Sequence, residues 1–235
     1  MRRAWFNGNK VRAELAGSGA LGHCPFMGNE VRANVGELRQ YWSYVGGAPE
    51  FPPGYENEIP WHAAWKTPIQ DEYCEVIFGE NNEHRADIVG NNNVVIELQH
   101  SPIDIREVRE RIRFYNENTN RRVIWIVDAR AYWKKTLDLD FQNRNGVNYP
   151  VLWKRKRQWV YHIAQNDESI LFIDYNHKSD KLVQMWVHQQ KLYGRFVSKR
   201  KFFLDNMNRV SKQEYIDNEE AFNKIWLDLE KEENS

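Results

Sequence analysis

Apolar and polar positions change period along the chain, and the clearest run of elements lies between residues 57 and 128. Residues 57–68 read as a short helix: Pro60 suits a first turn, where a missing N–H costs nothing, and Pro68 stops it. Trp61, Ala64 and Trp65 share one face, and His62 and Lys66, four apart, stack on the neighbouring one. Residues 73–78, 85–89 and 94–99 read as three strands joined by turns at 79–82 and 90–93. A helix follows over 105–116, with Asp104 and Glu107 at capping-box spacing and a stripe of Ile105, Val108, Ile112 and Tyr115. Residues 123–127 are apolar on both faces and predict a buried central strand. The order is α-β-β-β-α-β.

The flanks are less regular. The first 45 residues carry short Gly-punctuated apolar runs that predict a small β-structure, and residues 46–57, dense in Gly and Pro, predict a loop. Beyond 150, residues 159–163, 170–174 and 182–186 read as strands. The chain closes in a helix with a stripe of Phe222, Ile225, Trp226 and Leu229, and Ser211 and Glu214 have capping-box spacing before it. Three units follow: 1–50, 51–150 and 151–235.

Composition narrows the class. A chain of 235 residues, 41% hydrophobic and 28% charged, is an ordinary globular mixture and excludes a disordered chain, a collagen or a coiled coil. The longest apolar run, 123–127, falls far short of the ~20 residues of a membrane helix. The first residues turn polar at once, without the apolar stretch of a signal peptide, and two Cys are too few for a disulfide framework; the expectation is a cytoplasmic protein with reduced thiols. The net charge is zero, but basic residues concentrate in 151–201 and acidic ones in 202–235. Lys154, Arg155, Lys156 and Arg157, and Lys199, Arg200 and Lys201, are the densest basic runs. They read either as a solvated face or as a surface for nucleic-acid phosphates.

The candidate chemistry lies on the three strands. Glu97 and Gln99 point to one face of the third, and the turn at 90–93 can bring Asp87 of the second beside them. Two carboxylates and an amide oxygen suit a hard divalent cation such as Mg²⁺, which activates water and stabilises charge in phosphodiester cleavage. The competing reading is ordinary polarity on an amphipathic hairpin, although Val94, Val95 and Ile96 place Glu97 deep in an apolar strand, where an unpartnered carboxylate is costly. His162, His177 and His188 have no metal spacing, no Gly-rich phosphate loop occurs, and the Trp-rich stretches fit a core better than base stacking.

Glu58, Trp61-His62-Ala63-Ala64-Trp65-Lys66, Glu75, His84-Arg85-Ala86-Asp87-Ile88 and Ile96-Glu97-Leu98-Gln99-His100-Ser101 occur in this order. The Ser101-Pro102-Ile103 turn, an Arg-rich helix and Val123-Ile124-Trp125-Ile126 follow. In this pattern the chain resembles the competence protein CoiA-like family, a branch of the PD-(D/E)xK nuclease superfamily, closely over residues 55–130 and loosely outside them. The resemblance implies an α/β (α+β) fold with a restriction-endonuclease-like αβββαβ core. It also implies a metal site of Asp87, Glu97 and the Leu98 carbonyl, with Mg²⁺ or Mn²⁺ as cofactor and DNA as partner. Gln99 stands where the superfamily's Lys usually sits. A neutral amide can only orient by hydrogen bonds, so either Lys66 supplies the missing charge or the metal acts alone. His62 fits a proton shuttle or a surface hydrogen bond, and Glu75 is a further candidate catalytic residue.

Family members often carry a small zinc-binding element opened by Cys-Pro-x-Cys. Here Cys24-Pro25-Phe26-Met27 lacks the second Cys, and Gln40-Tyr41-Trp42-Ser43-Tyr44 stands roughly where a His-bearing segment would be. Too few ligands remain for a tetrahedral site, and no structural zinc is expected. The leading expectation is a metal-dependent DNA nuclease of competence or recombination type. The alternatives are a catalytically silent nucleic-acid-binding accessory protein and an interaction module using the acidic C-terminal helix.

Overall fold

A computed structural model describes residues 3–37, 40–50, 59–80, 83–154, 157–207 and 219–233. The described residues up to Tyr44 form the small β-structure expected there. Strands β1 (Arg3–Phe6), β2 (Asn9–Arg12), β3 (Leu21–His23), β4 (Glu30–Val35) and β5 (Gln40–Tyr44) make an antiparallel sheet in the order β2-β1-β3-β4-β5, with the one-turn helix α1 (Ala13–Ala16) against it. Ala4, Ala13, Val31, Ala33 and Trp42 fill its core. A Cβ on Gly22 would meet the Trp5 carbonyl at 2.6 Å and the Trp42 ring at 3.1 Å, so only glycine lets these strands close over the indole. The Cys24 thiol accepts the Met27 N–H at 3.3 Å and meets the Tyr44 hydroxyl at 3.2 Å. The aromatic stretch thus supplies this sulfur with a hydroxyl.

The second sheet has nine strands. Helix α2 (Pro60–Lys66) leads through a 3-10 turn at Asp71–Tyr73 into β6 (Cys74–Phe78), β7 (His84–Val89) and β8 (Val94–Gln99). Helix α3 (Ile105–Thr119) and β9 (Arg122–Asp128) complete the αβββαβ core. Asp104 caps α3 by accepting the Arg106 N–H at 2.7 Å, and Asn120 ends it in the left-handed region. The chain continues through β10 (Leu137–Leu139), β11 (Tyr149–Trp153), α4 (Gln158–Gln165), β12 (Ser169–Asp174), β13 (Lys181–His188), β14 (Lys191–Ser198), α5 (Lys199–Asn206) and α6 (Glu219–Glu233). The sheet order is β10-β11-β14-β13-β12-β9-β8-β7-β6. Residue 150 therefore falls inside β11, and β11 to β14 carry the same sheet onward.

Central β9 pairs parallel with β8 on one side and β12 on the other. Val123, Trp125 and Val127 face α3 and α4, while Ile124 and Ile126 face the core shared with α2 and the C-terminal helices. A run apolar on both faces is what such a strand requires.

Residues 159–163, expected as a strand, lie in α4. Trp159, Val160 and Ile163 bury one helical face against β12 and β13. Parallel β9 and β12 need a crossover between them, and a helix is the usual one. The Ser211/Glu214 capping box lies outside the described residues. Phe222, Ile225, Trp226 and Leu229 are buried as the stripe requires. No helix among the described residues is long and apolar enough to cross a membrane.

Candidate active site

The site is built from α2 and the irregular centre of the β6–β7–β8 meander. Every residue of α2 after Pro60, from Trp61 to Lys66, is buried. The Trp61 and Trp65 indole N–H groups both donate to Asp174 Oδ2, at 3.0 and 3.2 Å. Asp174 Oδ1 pairs with Lys199 Nζ at 2.9 Å, and Lys199 lies 4.3 Å from the Trp226 ring centroid. Trp65 stacks on Phe203 and meets Trp226 edge-on. These contacts fix the pitch of α2 and so the direction of Lys66, its last residue.

Lys66 Nζ lies 2.9 Å from Asp87 Oδ1 and 3.4 Å from Glu75 Oε1, with only 2% of its side chain exposed. Asp87 sits where β7 turns over: Ala86 packs on the α3 side and Ile88, two residues on, packs on the other. The β7–β8 ladder holds only Ile88↔Ile96 and Val89↔Val95. Beyond it Asp87 Oδ2 accepts the Leu98 N–H at 2.9 Å, in place of a strand carbonyl. Burial alone would push the Asp87 carboxyl upward; the Lys66 ammonium, with smaller help from His62 and the Leu98 N–H, holds it down at about 2. Glu75 is likewise held well below the usual range, against its burial, by Lys66 and nearby arginines. Its φ of +54° is strained for a residue with a side chain inside a strand, a kind of strain that collects at functional sites.

The small sheet grips this strained segment. Lys10 Nζ donates to the Cys74 and Glu75 carbonyls at 2.6 and 2.8 Å. Arg3 donates to the Lys66 carbonyl and Arg12 to that of Thr67, and both guanidinium groups pair with Asp71. Burial lowers the Lys10 ammonium to about 8, although Glu75 pulls it the other way.

Glu97 faces α3. Its Oε2 accepts from Arg111 Nη1 at 2.6 Å, and Arg111 also pairs with Glu107 at 2.7 Å. Among the described residues its buried Oε1 makes no hydrogen bond of good geometry, although the Tyr115 hydroxyl is near enough to this carboxylate to help hold its charge. Burial, reinforced by the Asp87 charge, raises the Glu97 carboxyl to about 7 against the pull of Arg111. Without divalent cation, this group costs stability increasingly as pH rises from 4.5 to about 7, because the unfolded chain releases its proton first. Glu97→Gln is therefore expected to raise the melting temperature in EDTA more at pH 8 than at pH 4. Equal shifts at the two pH values would contradict this.

Gln99 donates to the Ser101 carbonyl at 2.7 Å and pins the turn that leaves the sheet. His62 is buried with its ring 5.3 Å from that of Trp61, not on the surface. His100 escapes the sequence reading. Its Nδ1 lies 2.8 Å from Asp128 Oδ2, and Arg130 holds both Asp128 oxygens at 2.7–2.8 Å. The carboxylate fixes Nδ1 as the donor and leaves Nε2 of this half-exposed ring as the outward atom. The signal was Asp128 at the end of a strand parallel to β8, which brings the two carboxyl ends together.

The basic runs separate. Lys154 is exposed, Arg157 lies over the Tyr132 ring, and Lys201 pairs with Asp205. Lys199, expected to meet phosphate, is fully buried against Asp174 and cannot; its charge serves α2. Arg200 is half-buried. Arg155, Lys156 and Glu58 lie outside the described residues.

A family model described as competence protein CoiA, nuclease-like domain, matches residues 66–208. The chain belongs to the CoiA family. No curated protein and no solved structure matches it. The CoiA nuclease-like domain begins at Lys66 and takes in all nine strands of the large sheet, with Glu75, Asp87, Glu97 and Gln99. Among the described residues of this CoiA protein no group of three or more His, Cys, Asp or Glu is gathered as a metal site. A divalent cation nevertheless fits the donor chemistry. Two carboxylates suit a Mg²⁺ that keeps most of its waters, and the buried Glu97 Oε1, without a hydrogen bond of good geometry among the described residues, is an acceptor already stripped of solvent.

Proposed function

We propose that this chain is a divalent-metal-dependent nuclease that hydrolyses phosphodiester bonds in DNA during competence- or recombination-type processing. The observation that carries this reading is the buried Lys66 ammonium held between Asp87 and Glu75. A PD-(D/E)xK site needs a fixed cation beside the scissile phosphate, Gln99 cannot provide one, and α2 delivers one from the other side.

Asp87, Glu97 and the Leu98 carbonyl would hold Mg²⁺ or Mn²⁺, which supplies Lewis acidity and an activated water when bound. Lys66, fixed by Asp87 and Glu75, would set a preorganised positive charge behind the carboxylates, near the developing phosphorane oxygens but not in contact with them while it stays buried. Gln99 holds the Ser101 turn, and with it His100, whose Nε2 can hydrogen-bond a phosphate oxygen. Glu75, strained and gripped by Lys10, orients Lys66.

The test is cleavage of labelled single-stranded, duplex and branched DNA with Mg²⁺ or Mn²⁺. The parent should cut and Asp87→Ala should not, with its fold retained by circular dichroism; full activity in the variant would remove this site. One observation favours a second reading. Both carboxylates are already neutralised by protein cations, Lys66 and Arg111, as in a silent accessory protein that only binds nucleic acid. Binding without any cleavage by the parent would favour it.

A further inference from the structure

A groove of about 690 Å³ lies between α3 and α4. Arg109, Arg157, Tyr161, His162, Gln165 and Gln190 line it, and no carboxylate does among the described residues. Many arginines elsewhere are neutralised, Arg3 and Arg12 by Asp71, Arg111 by Glu97 and Glu107, Arg130 by Asp128. Arg109 is exposed and Arg157 half-buried, and neither makes an ion pair among the described residues. Arg157 is steadied by the Tyr132 ring, 4.6 Å from its guanidinium carbon. It also borders the small cleft that contains His100, Ser101 and Asp128. One arginine therefore joins the groove to the cleft beside His100.

We propose that this groove is the track along which a single strand of nucleic acid reaches the site, an inference that rests on the nuclease reading above. Arg109 and Arg157 are spare cations for phosphates. Tyr161 offers a ring face for a base, and the glutamine amides offer donors and acceptors for base edges. This combination uses the faces and edges that a single strand presents and a duplex hides.

The test is fluorescence anisotropy of a labelled oligo(dT) in EDTA, where nothing is cut. Arg109→Glu and Tyr161→Ala are each expected to weaken binding about tenfold or more at low salt, and Arg109→Glu to flatten the salt dependence by about one phosphate contact. Both side chains reach solvent, so melting temperatures should match the parent's. Parent-like oligo(dT) affinity in both variants would overturn the groove. So would equal sensitivity of a duplex of the same length, or displacement of oligo(dT) by polyglutamate of equal charge, which would assign the groove to an acidic polypeptide. The two readings separate cleanly. Groove variants that bind normally beside an inactive Asp87→Ala would leave the nuclease standing without this track. Weakened groove variants beside a fully active Asp87→Ala would leave the track and remove the site.

Discussion

Lys66→Met should lower the cleavage rate by about 10²–10³-fold, the usual loss when a preorganised charge at a developing oxyanion is removed. Methionine keeps the length and packing of the stem, so α2 stays in place and only the ammonium goes. Asp87 and Glu75 then face each other in a buried space without the cation that holds both carboxyls down. Losing one partner of a buried pair also costs roughly 3 kcal/mol or more, and rates must be compared well below the variant's melting temperature. A second substitution decides the meaning. Gln99→Lys in the Lys66→Met background puts an ammonium back on the strand position from which the superfamily usually supplies it. Partial recovery would show that the site needs a cation and not this particular helix. A parental rate in Lys66→Met alone would show that the cation has no part in the chemistry.

The largest loss of stability is expected at Asp174. It is fully buried, accepts from two indoles and pairs with Lys199, which is itself fully buried. Asp174→Ala strands that ammonium and two N–H donors, and should cost ~3–5 kcal/mol in urea unfolding. Removing both charges, as in Asp174→Leu with Lys199→Met, should recover much of the loss, because an apolar pair of similar volume carries no desolvation penalty. An Asp174→Ala stability within about 1 kcal/mol of the parent would show that the network is not holding α2.

The central block was legible because two signals agreed there. The period changed from helix to strand and back, and Gly, Pro or Asn stood between successive elements. Residues 159–163 misled because Trp159, Val160, Tyr161 and Ile163 favour strands, and five residues cannot separate a short helix from a strand by spacing. The carboxylates of the site were legible as strand positions. What gives them their properties was not: the turnover of β7 at Asp87, the left-handed Glu75, and Lys10 reaching across from another sheet are products of docking. Lys199 looked like part of a solvated basic run because its partner, Asp174, lies on a different element. His100 needed the parallel pairing of β8 and β9 before Asp128 could be seen beside it.

The order in which the ribosome delivers these parts has a consequence. Lys66, Asp87 and Glu97 emerge from the ribosome before Asp174, Lys199, Phe203 and Trp226, which hold α2 in place. A nascent chain stalled before β12 carries the carboxylates without an aimed ammonium. Prematurely terminated products have the same defect. On the nuclease reading, the ammonium would be aimed only after Asp174, Lys199, Phe203 and Trp226 have packed against α2, so cleavage would wait on the folding of this core.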